Sequence, residues 1–255
     1  MTQWIALSRT AHAEKMFTPR EGYHHAAHQM IAPVMLAELA KCLPHYVLGF
    51  LAGDDGLLPV AVLGVEKDQN LYLHPDGRWL GHYVPAVLRG YPFVLAKSSN
   101  GERVLSIAAD HLAEEGGHPL FDGGELAKPV ADTLSFLTQC EQNRQATQAA
   151  CQALESAGVL MPWKLIVPIG EGHQQVNGLY CVDEKALNSL EGEAYATLQG
   201  GPMQLAYGQL YSMAQVDQLT QRAALQDKLA DAHPPANLDE IFSEGDDELM
   251  FDFDN

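Results

Sequence analysis

The sequence predicts an α+β fold: a mostly antiparallel sheet of hairpins with packed helices, in a single domain followed by an acidic C-terminal tail. Three observations carry this reading. Short apolar runs come in pairs separated by Gly, Asp and Asn turns, which is the spacing of hairpins. Helical periodicity is clearest late in the chain. Strands and helices do not alternate in regular βαβ units, so a doubly wound parallel sheet is disfavoured.

Taken in order, Tyr46–Ala52 and Leu58–Val65 are strand-like runs joined through GDDG-type turn residues. Asn70–Leu73 reads as a third short strand ended by HPDG, where Pro75 sets φ, Asp76 fits the next turn position and Gly77 accepts a positive φ. Phe93–Ala96 and Val104–Ala108 flank the turn SSNG, and Lys164–Ile169 and Gln175–Asp183 bracket GEGH. Ala131–Ala157 places Leu134, Leu137, Cys140, Cys151 and Leu154 at helical steps, with Gly158 able to cap its end. The middle of that helix, EQNRQATQ, is polar all round and expected to be exposed. Asp183 is placed to N-cap a short helix carrying Leu187 and Leu190. Leu210, Met213, Val216, Leu219 and Ala223 form a last amphipathic stripe. HPPAN (His233–Asn237) then stops the helix, because proline lacks the N–H and clashes with the preceding turn. The expected division is a body, 1–232, and a tail, 233–255.

Composition bounds the function classes. The 255 residues carry 15 basic and 33 acidic side chains, a net charge of −18. Without a basic stripe, such a field repels nucleic acid and anionic membrane surfaces. No apolar run approaches the ~18 residues of a membrane span, and MTQWIALSRTAHAEK has no secretory h-region. A cytoplasmic location is therefore expected. The cysteines (Cys42, Cys140, Cys151, Cys181) form no CxxC pair. Cys140 and Cys151 fall roughly 16 Å apart along one helix, too far for a disulfide. Reduced, mostly buried thiols are expected.

The stretch NLYLHPDGRWLGHYVPAVLRGYPF (Asn70–Phe93) holds five of the chain's 20 aromatic residues and two arginines. Trp79, Tyr83, Tyr91 and Phe93 are large apolar faces, three of them with polar tips, and such residues dominate both cores and binding surfaces. Arg89 is placed to reach a carboxylate. Two readings stand: an irregular aromatic segment packed under the sheet, or a groove lined by Trp79, Tyr83 and Arg89.

The same stretch resembles the signature of the SapC family: Asn-Leu-Phe, a turn ending in Gly-x-Trp, then Tyr-Ile-Pro-Ala and Arg-Arg-Tyr-Pro-Phe. AELAKCLPHYVLGF, PVAVLGVEKDQN, HPLFDGGELAKPVADTLSFL and NGLYCVDEKALNSL are similar to further family segments in the same order, covering roughly residues 28–225. Gly90 stands where the family has the second arginine, and Val47 follows Tyr46 where the family has proline. The family is named for a surface-layer-associated protein. Its members sit in gene neighbourhoods with halogenase-like proteins, cupin-like oxygenases and outer-membrane receptors. It supplies no catalytic residues to carry over.

Other candidate sites are weaker patterns. His74-Pro75-Asp76 has the H-x-D spacing of an iron facial triad, with His111, His118 or His173 as third ligand; this is the enzyme alternative, a metal-dependent oxygenase-like activity. His24 and His28 have one-turn helical spacing, but the HQMIAPV segment reads as strand. There is no G-x-S-x-G elbow and no phosphate loop. The last 17 residues, DEIFSEGDDELMFDFDN, carry eight carboxylates and no basic residue, interrupted by Leu249, Met250, Phe251 and Phe253 among others. Acidic–hydrophobic segments of this kind dock into basic, apolar-lined grooves. The resulting expectation is a non-catalytic SapC-family accessory protein without cofactor or metal. It binds a protein or peptide partner through two elements: the aromatic segment (Trp79, Tyr83, Arg89, Tyr91, Phe93) and the tail (Leu249, Met250, Phe251, Phe253). An exported surface-layer component is a further alternative.

Overall fold

Hairpin turns fix the frame of the protein, which a computed structural model describes for residues 2–98 and 101–232. Two short strands, β1 (Trp4–Ala6) and β2 (Met16–Phe17), precede β3 (Ile31–Pro33) and helix α1 (Leu39–Cys42). The hairpin β4 (Leu48–Gly53) and β5 (Gly56–Val62) turns at Asp54–Asp55, where Gly56 takes φ +104°. After the single turn α2 (Ala86–Arg89) comes a second hairpin, β6 (Phe93–Lys97) and β7 (Arg103–Ala108). Four two-residue strands follow: β8 (Leu112–Ala113), β9 (His118–Pro119), β10 (Phe121–Asp122) and β11 (Glu125–Leu126). Helix α3 (Lys128–Ser156) leads into the third hairpin, β12 (Leu160–Ile169) and β13 (Gly172–Val182). The helices α4 (Glu184–Asn188), α5 (Gly192–Thr197), α6 (Gly201–Ser212) and α7 (Val216–Ala232) complete the described chain.

The strands form antiparallel sheets, so the fold is α+β as the hairpin spacing indicates. The largest has the order β12-β13-β4-β5-β3, and a second has the order β1-β7-β6. Each has its own apolar core. Phe50, Val60, Val62, Leu154, Leu179 and Leu205 belong to the first; Phe17, Phe93, Ile107, Leu120 and Val130 belong to the second. Residues 70–93 bridge them, with Leu71 and Tyr72 buried in one core and Phe93 in the other.

Helix α3 also serves both cores. Val130, Leu134 and Leu137 pack at its start, and Ala150, Cys151 and Leu154 at its end. The polar middle is less exposed than its composition suggests. Thr147 is buried, accepting from Leu36 N–H at 3.0 Å and donating to Asn143 C=O at 2.7 Å. A side-chain hydroxyl can meet a neighbouring backbone without disturbing its own helix, so a polar face need not be a wet one.

Two other expectations change. Asn70–Leu73 is not a sheet strand; only an isolated bridge joins Leu73 to Trp79. Buried Asn70 accepts from Tyr72 N–H and donates to Ala26 C=O, both at 2.9 Å, curling the segment into a local turn. The last amphipathic stripe is broken between α6 and α7, leaving Met213 exposed while Leu219 and Ala223 are buried. Just before the break, α6 carries a polar clamp. β4 and β13 pair only at Leu51–Leu179 and Phe50–Tyr180. Beyond that point Ser212 Oγ accepts from Leu48 N–H, and Gln209 Oε1 accepts from Val182 N–H, both at 2.9 Å. These side chains satisfy backbone groups that the sheet leaves unpaired.

The four cysteines are free thiols, three of them buried. Asp183 caps α4 through Lys185 and Ala186 N–H. Among the described residues no helix is long and apolar enough to cross a membrane.

Candidate functional site: an aromatic, arginine-bearing cleft at Tyr91

The aromatic segment divides into two environments. In the first, Trp79 and Tyr83 join a nest with Tyr46 and Tyr72. The Trp79 indole N–H donates to Tyr46 Oη and Tyr83 C=O, each at 3.0 Å, and Tyr46 donates to the same carbonyl. Tyr72 donates to His45 C=O at 2.7 Å and lies under the Arg222 guanidinium, 3.9 Å from its ring centre. Burial pushes the Tyr72 hydroxyl up to about 12. The Glu38 carboxylate, only 4% exposed, accepts from Tyr83 Oη and Ala86 N–H at 2.8 Å and from Met35 N–H at 3.0 Å. Three donors on one buried carboxylate make it a structural clamp. The tyrosine hydroxyls, the indole N–H and the Glu38 carboxylate named here all have partners, whereas Arg222 donates to Leu80 C=O at 3.2 Å and keeps a buried Nε without one.

The second environment is a cleft with two lobes that share Pro19, Arg20 and Tyr91. One lobe, of about 450 Å³, is lined by Arg20, Glu21, His24, His25, Asp110 and His111 among others. The other, of about 420 Å³, is lined by Phe17, Arg89, Phe93, His118 and Thr133 with the shared residues. No carboxylate lines this second lobe. Gly22 is where local backbone geometry positions the first lobe. It takes φ +84°, and a Cβ there would lie 2.5 Å from Gly77 O, so only glycine lets the HPDG turn pack against the His24 segment.

Tyr91 sits where the lobes meet. Its ring stacks on His25 (centroids 4.0 Å apart, planes within 5°) and meets His111 edge-on at 5.0 Å. Its hydroxyl is raised from the ordinary value by burial, with the Asp110 carboxylate adding to the effect. His25 Nε2 lies 3.2 Å from Leu88 C=O, and a carbonyl only accepts, so this nitrogen carries the hydrogen. Burial, with smaller contributions from Arg20, His111 and His24, lowers the His25 pKa to about 4. His25 is therefore neutral at neutral pH. His111 Nδ1 likewise donates to Thr18 C=O at 2.6 Å.

The two guanidinium groups at the cleft differ from Arg78, Arg103 and Arg144, and resemble Arg222 of the nest in having no carboxylate partner. Arg78 binds Asp76 at 2.7 Å, and Arg103 and Arg144 bind Glu141. Among the described residues, neither Arg20 nor Arg89 is ion-paired. Arg20 donates to Gly22 C=O and Tyr23 Oη and stacks 4.1 Å over the Tyr23 ring. Arg89 donates to Tyr83 Oη and lies 5.0 Å from the Phe136 ring centre. Stacking and single hydrogen bonds hold both in place while leaving donors for an anion.

The structure thus brings Arg89, Tyr91 and Phe93 to the cleft and keeps Trp79 and Tyr83 in the adjoining nest. Phe93 is 4% exposed, so it supplies floor rather than reach. Leu249, Met250, Phe251 and Phe253 lie outside the described residues. Arg20, His25, Asp110 and His111 complete the cleft from distant parts of the chain; the stretch HHAAH (His24–His28) and the candidate third ligands His111 and His118 touched on four histidines of the region, but nothing local marked Arg20. At Gly90, the departure from the family pattern, a Cβ would lie 2.6 Å from Leu137 Cδ2, a contact that the leucine side chain can relieve by shifting.

His74 Nδ1 lies 2.8 Å from Asp76 Oδ1, and the Asp76 carboxyl is lowered to about 2, chiefly by the Arg78 N–H. That pair belongs to the turn. His28 sits by Asp68 C=O at 3.3 Å, apart from the His25–Tyr91 stack. Among the described residues no three His, Cys, Asp or Glu side chains are grouped to hold a metal ion.

Together these features define an antiparallel α+β protein with two cores and, beside their junction, an aromatic cleft whose second lobe carries two arginines and no carboxylate. The SapC family model matches residues 7–219, most of the chain and every cleft residue named above, and the chain belongs to the SapC family. No curated protein and no solved structure matches it.

Proposed function

We propose that this SapC-family chain is a non-catalytic accessory protein that docks a protein or peptide partner, with the Tyr91 cleft holding an acidic segment that carries aromatic side chains. One observation supports this most: two arginines free of carboxylate partners flank aromatic rings in a chain whose net charge is −18. Guanidinium groups stacked on rings bind carboxylates with directional hydrogen bonds, and the rings beside them take aromatic side chains. His25 and His111 fit a binding role as well as a chemical one, because backbone carbonyls fix the hydrogen-bond roles of both rings.

The test is a titration of the full chain with fluorescent octapeptides of three compositions: acidic–aromatic, acidic–aliphatic and basic–aromatic. The acidic–aromatic peptide is expected to bind at least tenfold tighter than the others and to weaken with salt, as partly screened ion pairs do. Arg20→Ala with Arg89→Ala is expected to remove that preference. Equal binding of all three peptides, or a preference unchanged by the double substitution, would overturn the reading.

A further inference from the structure

We infer that the cleft's resident occupant is the chain's own C-terminal segment, residues 239–255, folded back on the same molecule. The inference rests on the proposed function above and names the ligand for it.

Charge complementarity is the first argument. The segment carries eight carboxylates and no cation, whereas the lobe between Arg20 and Arg89 is lined by cations and rings without a carboxylate. The alternation Phe251, Asp252, Phe253, Asp254, taken as extended chain, sends both rings to one side and both carboxylates to the other. That arrangement matches a cleft with rings on its floor and guanidinium groups on its rim.

The position of the chain end is the second argument. Late in α7, Gln226 donates to Leu73 C=O at 2.7 Å and Leu71 C=O at 3.3 Å. Leu73 leads into the HPDG turn, whose Gly77 C=O accepts from Tyr23 N–H at 2.8 Å beside His24 of the cleft. Helix α7 is thus tied to the segment that leads into that turn. From Ala232, the remaining 23 residues reach roughly 75 Å when extended. A body of this size has a radius of gyration of roughly 17 Å, so tether length is no obstacle.

A tethered segment competes with any partner at an effective concentration of order millimolar. The experiment uses one labelled probe peptide, ELMFDFDN, and three full-length proteins: the unaltered chain, a tail variant (Asp252→Asn, Asp254→Asn, Phe251→Ala, Phe253→Ala) and a cleft variant (Arg20→Ala, Arg89→Ala). The tail variant is expected to bind the probe about tenfold tighter than the unaltered chain, because its internal competitor is weakened. Residues 18–25 and 89–92 are expected to exchange backbone hydrogens faster in the tail variant. Equal probe affinity of the unaltered chain and the tail variant would overturn the inference while leaving the cleft reading standing. Probe binding undiminished in the cleft variant would overturn the cleft reading itself, and so would no binding to any of the three proteins. A tail-dependent dimer in sedimentation would overturn the intramolecular form, since a second copy would then be the occupant.

Discussion

The Trp79 nest and the Tyr91 cleft are both built around one 24-residue stretch, and both combine aromatic rings with arginine and carboxylate groups. In the nest the tyrosine hydroxyls, the indole N–H and the Glu38 carboxylate satisfy one another or the backbone. In the cleft the rings are ordered by stacking, and the guanidinium groups keep donors without an anionic partner. Aromatic density therefore does not mark a site. What separates core from site is whether the polar groups beside the rings are already satisfied.

The contrast is open to attack from both sides. Trp79→Ala is expected to have the largest effect, lowering stability by about 3 kcal/mol through lost packing and the lost indole hydrogen bond, with Tyr46 Oη still donating to Tyr83 C=O. Probe-peptide affinity of the folded fraction should be unchanged; a tenfold loss of affinity at unaltered stability would dissolve the distinction. Glu38→Ala follows at about 2 kcal/mol, since Tyr83 Oη and two N–H groups lose their acceptor. Urea denaturation checks both.

The cleft variant Arg20→Ala with Arg89→Ala reverses the pattern. It should cost about 1 kcal/mol or less of stability, as exposed stacking contacts do, while removing most of the peptide binding. The last contrast concerns pH. His25 takes up its proton at about pH 4 in the folded protein, against 6.5 ordinarily. Between those values the unfolded chain binds more protons, so stability falls as pH is lowered from about 7 towards 4. His25→Gln should flatten that slope; an unchanged slope would remove His25 from the account.

Much of the frame was legible in the sequence because turns and caps are local. Three hairpins, the long helix closed by Gly158 (φ +67°) and the Asp183 cap follow from neighbours a few positions apart. The family could be read for the same reason, from ordered short motifs. The failures were tertiary. EQNRQATQ looks exposed until Leu36 arrives to use Thr147, and Asn70–Leu73 looks like a strand until Ala26 offers a carbonyl.

By itself, then, the sequence determined the α+β class, the hairpin turns, the charge balance and the presence of an aromatic segment. It could not determine which of those aromatics remain available. Arg20 and Tyr91 stand about 70 positions apart, and the Tyr91–His25 stack and the Trp79–Tyr46 bond each join residues far apart along the chain. Whether a polar tip is satisfied depends on which distant group packs beside it, and that is decided only when the two cores close around the segment they share.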